Sequence, residues 1–228
     1  MKKAVISYNF GNYDKAEPIQ WKSKDWEYIL FTDKETENIP KGWRSVILPE
    51  KYFKSNDPKR RANQVKFSPF RTCKEELEEE YDIVVVIDAN MVVVGDMDAF
   101  VDIFCMSTMD GVFLNHPSII GAYEDLNLCA ELEKDDVKPL MQTYKYFESE
   151  GYPSKVEKYF QTGVSIRRNT SAWSIIEYFF YDHYKDYSKR DQPMMNFLHW
   201  KYDVLDLNIV EIGHISEFLN YETHHFEK

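Results

Sequence analysis

Asp88, Ala89 and Asn90 follow Ile83-Val84-Val85-Val86-Ile87 without a break. A run of β-branched residues this pure reads as a strand buried on both faces, as in a parallel sheet. Open α/β sheets bind ligands beyond the carboxyl ends of their strands. An acid and an amide separated by one residue at that edge can turn two oxygens toward one hard cation. Mg²⁺ and Mn²⁺ take oxygen ligands, often one or two from protein and the rest from water and phosphate. Asp88 and Asn90 therefore suggest a site for a metal-bound diphosphate. A strand that simply ends in a polar turn would look the same.

Other polar groups fall at the ends of further apolar runs. Tyr8 and Asn9 close the first run, and Thr32 and Asp33 close the second. In a parallel sheet these groups converge with Asp88 on one edge. There an aromatic ring could stack on a base, and Asp33 could accept from a base N–H or a ribose hydroxyl. Arg60 and Arg61 precede Lys66 by six and five residues on a predicted helix, and could present positive charge to a diphosphate. A solvated basic face is the plainer reading. Gln161-Thr162-Gly163 stands before a predicted strand, and Gly163 would let backbone approach a ligand closely. Arg190-Asp191-Gln192-Pro193 stands before a predicted helix, where Asp191 and Gln192 could bond sugar hydroxyls or merely cap the helix. His214, His224 and His225 follow the last strand, and His225 could add an imidazole to the same metal.

The elements that must position these groups read as an alternation. Strands are expected at Ala4–Ser7, Glu27–Phe31, Ser45–Leu48, Ile83–Ile87, Gly111–Leu114, Val164–Arg167 and Asn208–Ile212, with Met91–Val94 a strand or hairpin arm. Asp57-Pro58 is a helix start, with an N-cap acid and Pro at the first position. Pro69 should kink or end that helix, and a second helix should run through Glu75–Glu80. Further helices are expected at Ala122–Leu132, Val137–Glu150, Trp173–His183 and Pro193–Trp200. The charge-rich run Lys74–Glu80 reads as a solvated helix face. The pattern implies an α/β fold with a mostly parallel central sheet flanked by helices, in a single domain over residues 1–228.

Composition narrows the function classes. The chain has 228 residues, 43% of them hydrophobic, and a formal net charge of -11. That charge argues against binding nucleic acid or an anionic membrane non-specifically. Three cysteines at spacings that fit neither a zinc site nor a redox pair read as reduced, buried thiols of a cytoplasmic protein. The N-terminal apolar run is too short for a signal sequence, and no stretch reaches transmembrane length. Any contact with a membrane would be peripheral. There is no P-loop, nucleophile elbow or G-x-G-x-x-G fingerprint.

Taken in order, these residues resemble a known family. Asn9-Phe10-Gly11-Asn12-Tyr13-Asp14 with Glu17-Pro18 is similar to its "FGxYDxxxxP" opening, and Phe31-Thr32-Asp33 to its "FTD" strand. Arg61 through Lys66 resembles its "RxxK" helix, and Tyr81-Asp82 through Asp88-Ala89-Asn90 its "YDxxxWxD" strand. Asn115-His116-Pro117, Glu124, Arg167-Arg168-Asn169 and Arg190-Asp191-Gln192 follow in the family's order. The family is the glycosyltransferase-like domain known from plant mucilage-related proteins and bacterial polysaccharide loci. Tyr159-Phe160-Gln161-Thr162-Gly163-Val164 also resembles the "YFNAGV" element of GT-A sugar transferases that include glycogenin-like enzymes, and Thr223-His224-His225-Phe226 loosely resembles their "HF".

The resemblance implies a GT-A fold and transfer of a sugar from a nucleoside-diphosphate sugar, a UDP-sugar first, to a hydroxyl of a glycan. It implies that Asp88, Asn90 and His225 hold Mn²⁺ or Mg²⁺. Asn90 departs from the second acid of an Asp-x-Asp motif, which puts the metal in doubt. Tyr8, Asn9, Asp33, Arg61, Lys66, Asp88, Gln161 and Gly163 would bind the donor. Asp191 and Gln192 would sit at the transferred sugar, with a tilt toward retention of configuration. A nucleotidyltransferase would usually carry a Gly-rich, basic loop after the first strand, and Asn9–Asp14 is not one. A non-catalytic nucleotide-sugar or glycan-binding module remains the other alternative.

Overall fold

The structure is a computed structural model that describes residues 1–11, 14–34 and 39–222, with backbone alone at 181–183. Asn12, Tyr13 and the Thr223–Phe226 tail, including His224 and His225, lie outside the described residues.

Seven strands form the main sheet: β1 Lys3–Asn9, β2 Trp26–Thr32, β3 Arg44–Ile47, β4 Ile83–Ile87, β6 Gly111–Asn115, β7 Phe160–Arg168 and β8 Leu207–Val210. Their order is β3-β2-β1-β4-β7-β6-β8. All run the same way except β7, which is antiparallel to both β4 and β6. The expected mostly parallel sheet is present. All five residues of β4 are buried, as the unbroken β-branched run requires. Val84 and Val86 join Ala4, Ile6 and Phe31 under two helices, α1 Pro58–Phe67 and α2 Pro69–Leu77. Val85 and Ile87 turn to the other face, against α3 Met97–Phe104. An aromatic-rich core under α4 Ala122–Glu131, α5 Val137–Ser149, α6 Ser171–Tyr184 and α7 Asp191–Tyr202 completes the second half.

Local sequence explains the elements nearest the carboxyl edge. Asp57 caps α1 by accepting from Arg60 N at 3.0 Å, with Pro58 at the first position. Pro69 does more than end this helix: α1 stops at Phe67 and α2 starts on Pro69. The expectation of helix through Glu80 is corrected. The helix stops at Leu77, and Glu78 takes a left-handed φ of 57°. Glu79 leaves the helix to meet Lys2 at 2.9 Å and Arg44 at 3.2 Å, so it is not part of a solvated helix face. The Tyr81 hydroxyl, with Lys2 and Arg44, holds its carboxyl down at about 2.

Two boundaries are corrected in ways that move site residues. β7 begins at Phe160, so Gln161, Thr162 and Gly163 lie within the strand rather than before it. Because β7 is reversed, they still fall at the carboxyl edge of its neighbours. α7 begins at Asp191, so Asp191 is a first-turn residue and not a cap. Met91–Val93 is strand β5, and it pairs with β9 Leu219–Tyr221, which the sequence reading lacked along with α3. No described helix is long and apolar enough to cross a membrane. All three cysteines are free and buried.

Candidate active site

Asp88 leaves β4 at the carboxyl edge, about a third exposed at its side chain. Its backbone N–H donates to Gly163 O at 2.9 Å, which ties the strand end to β7. Its Oδ1 accepts from the Tyr8 hydroxyl and from Lys66 Nζ, the latter at 3.1 Å. A Cβ on residue 163 would come within 3.2 Å of Asp88 Oδ2. Gly163 thus clears space for the carboxylate. Burial first, and then Asp88, push the Tyr8 hydroxyl well above its usual pKa. Tyr8 therefore acts as a neutral donor that orients Asp88, and its side chain is buried among the described residues.

Lys66 is 2% exposed and joins two carboxylates, Asp88 and Asp191, the second at 2.8 Å. Burial alone would lower its pKa; Asp191 and then Asp88 outweigh burial and raise it. Asp191 is equally buried. Its Oδ2 also accepts from Thr162 Oγ1 at 2.7 Å, and Lys59 Nζ lies 3.6 Å from Oδ1. Burial would raise the Asp191 carboxyl, but Lys59, Lys66 and Arg190 together hold it well below the usual carboxylate range. A buried ammonium between two such acids stays charged at every physiological pH.

The remaining expected residues divide between neighbouring groups. Asn9 closes the loop after β1, donating to Asp14 O at 2.5 Å and accepting from Asp14 N at 3.3 Å. Asp33 accepts from Gly11 N at 3.0 Å and faces Arg61 at 3.9 Å. Arg61 spends its other nitrogens on Ser55 O and Asn56 Oδ1, at 3.0 and 3.3 Å. Asn9, Asp33 and Arg61 thus build a rim beside the Lys66 cluster. Gln161 reaches Tyr221 at 3.4 Å. Gln192 donates to Asp125 Oδ2 at 2.8 Å; Asp125 also accepts from Tyr159 at 2.7 Å.

Lys59, Asp125 and Tyr221 were not singled out from the sequence, and Thr162 stood in the marked Gln161-Thr162-Gly163 segment without a role. Lys59 carried a signal, since residues seven apart share a helix face and Lys66 was already marked. Asp125 carried none. A larger cavity, about 1180 Å³, lies between α1–α2 and α6, lined by Phe70, Trp173 and Glu177 among others. None of Lys66, Asp88 or Asp191 borders it, so volume and charged chemistry point to different places. The ion network marks the candidate site, because it lies at the carboxyl edge of the sheet, where open α/β sheets bind ligands.

Of the residues expected to hold Mn²⁺ or Mg²⁺, His225 lies outside the described residues, and the two described ones, Asp88 and Asn90, are already engaged. Asn90 Nδ2 donates to Glu222 O at 3.1 Å, and its Oδ1 is buried without a partner. That orphaned oxygen suits a cation, but it is sealed from solvent in a residue only 3% exposed. Asp88 already shares Oδ1 with a hydroxyl and an ammonium. Two unit charges 4 Å apart interact by about 4 kcal/mol near a protein surface, so a dication on Asp88 would be strongly repelled by Lys66. No group of three His, Cys, Asp or Glu among the described residues could hold an ion.

No protein-family model matches the sequence, and no curated protein matches it. Among solved structures, the apo crystal structure of mouse xyloside xylosyltransferase 1 is similar in shape. The TM-score is 0.50 at 8% sequence identity, over 90% of this chain and 84% of that one. At so low an identity the likeness speaks to the backbone alone, and it shows that this chain has a glycosyltransferase fold of the GT-A type.

Proposed function

We propose that the chain transfers a sugar from a nucleoside-diphosphate sugar, a UDP-sugar first, to a hydroxyl of a glycan. The observation that carries the reading is the buried Lys66 ammonium between Asp88 and Asp191, at the carboxyl edge of a GT-A sheet. Sugar transfer builds negative charge on the departing diphosphate, and cations fixed in advance stabilise it without reorganisation. Asp88 and Asp191 hold the cation in place. Asn9, Asp33 and Arg61 form the rim where a nucleoside would lie. Asp191 and Gln192, on the first turn of α7, stand where the transferred sugar would reach the network.

A thermal-shift panel of nucleotide sugars tests this reading. A ligand at a hundred times its Kd stabilises by about 2.7 kcal/mol, so at least one donor should raise the melting temperature clearly. A panel with no response overturns the proposal. One observation favours the binding-module alternative: Asp191 is 2% exposed and its oxygens already serve Lys59, Lys66 and Thr162. Release of nucleoside diphosphate from the stabilising donor, followed by chromatography, separates an enzyme from a module.

A further inference from the structure

If the carboxyl edge takes a nucleoside diphosphate, as proposed above, the diphosphate must meet positive charge there, and α1 supplies it. Lys59 and Lys66 stand seven residues apart on α1, about two turns, and so lie along one side of the helix. Both reach Asp191, on opposite oxygens, at 3.6 and 2.8 Å. Their situations differ. Lys66 is sealed in and bonded to two carboxylates. The Lys59 side chain is 22% exposed, and its ion pair with Asp191 is too long to be a strong hydrogen bond. An ammonium has three donors, so Lys59 keeps capacity for an anion arriving from solvent.

We propose that Lys59 and Lys66 together do the work of a divalent ion, so that a nucleoside diphosphate binds at this edge without Mn²⁺ or Mg²⁺. Lys59 meets the diphosphate directly. Lys66, between Asp88 and Asp191, offsets one of the two negative charges that would otherwise repel the diphosphate, and Lys59 faces the other at Asp191. Three further observations agree. The second position of the would-be metal pair is Asn90, whose amide nitrogen holds the chain at Glu222. One oxygen of Asp88, Oδ1, is already shared by Tyr8 and Lys66. Burial, with Lys66 and Arg190 nearby, disfavours the charged form of Lys59 despite Asp191; an incoming phosphate would relieve that.

The test is calorimetric titration of UDP and GDP into the protein, once in excess EDTA and once in excess Mn²⁺, with the wild type, Lys59→Gln and Lys59→Arg. One of the two nucleotides should bind the wild type with the same affinity in both buffers, within about twofold. Lys59→Gln should weaken that binding by roughly tenfold to a hundredfold, the value of one charge-assisted hydrogen bond. Lys59→Arg should recover most of it. Lys59 faces the buried Asp191, so Lys59→Gln should lose some stability; a single cooperative melt well above the titration temperature checks that each variant is folded. Binding that appears only with Mn²⁺ overturns the proposal while sparing the nucleotide-sugar reading. So does metal-free binding that Lys59→Gln leaves untouched. If neither nucleotide binds in either buffer, both readings fall together.

Discussion

At the residue scale, the site is a chain of alternating charges in which each link restrains the next. Thr162 and Lys66 fix Asp191, Lys66 fixes Asp88, and Tyr8 fixes Asp88 from the other side. Breaking a buried pair by deleting one partner costs about 3–5 kcal/mol. Asp191→Asn should fall near the low end, about 3 kcal/mol in urea unfolding, because Lys66 keeps Asp88. The same variant has a pH signature. The Asp191 carboxyl is depressed in the folded state, so its contribution is full above the unfolded value of 3.8 and is lost as pH falls below that toward the folded value. Wild-type stability should therefore drop more steeply than that of Asp191→Asn on acidification below about pH 4. Asp88→Asn should behave differently. Asp88 is partly exposed and an amide can still accept from Tyr8, so the stability loss should stay near about 1 kcal/mol in urea unfolding. Equal loss of stability in both variants would contradict the hierarchy of burial on which this rests.

At the scale of elements, the joint between β5 and β9 is built on one glycine. A Cβ at Gly95 would lie 2.1 Å from Glu217 O and 2.9 Å from Phe218 Cα, both backbone atoms that cannot turn aside. Gly95→Ala should cost about 1–3 kcal/mol, read as a shifted urea midpoint. α6 holds a second testable feature. Arg167 is fully buried, with its guanidinium 4.6 Å from the Trp173 ring centroid, and burial pushes the Glu177 carboxyl nearby up to about 8. The folded chain then holds a proton that the unfolded chain loses above about pH 4.5, so this group costs stability as pH rises from there to 8. Glu177→Gln should flatten that slope, gaining melting temperature relative to wild type at pH 8 and little at pH 5.

Much of this scale was readable from residues in order. The purity of Ile83–Ile87 located the central strand, and Asp57-Pro58 located the start of α1. What escaped had no local signal. Nothing in Leu219–Tyr221 announces a strand, because it is one only by pairing with β5. The reversal of β7 depends on which strands flank it, a tertiary fact that periodicity does not carry. The site was half legible: Lys66, Asp88 and Asp191 stood out by type and position, whereas Asp125, which holds Gln192 beside them, is brought there only by α4 packing against α7.

For the molecule as a whole, stability should be graded from the middle of the sheet outward. β4 is buried on both faces between β1 and β7, while β3 and β8 are partly exposed edge strands. Amide exchange should be slowest at Ile83–Ile87 and fastest among the sheet strands at β3 and β8; uniform rates would count against one cooperative core. The reversed strand has a further consequence, and it concerns time. Lys66 is made early, while Thr162 and Asp191, which help seat its charge, are made more than ninety residues later. At about 5–20 residues per second, the ribosome leaves that lysine without its deepest partner for several seconds or more. Through that interval solvation favours leaving the ammonium in water, so the N-terminal half should emerge with α1 unseated. The site would then close in one late step, when β7 slides in beside β4 with Thr162 and α7 follows it with the Asp191 oxygens that Lys66 lacks.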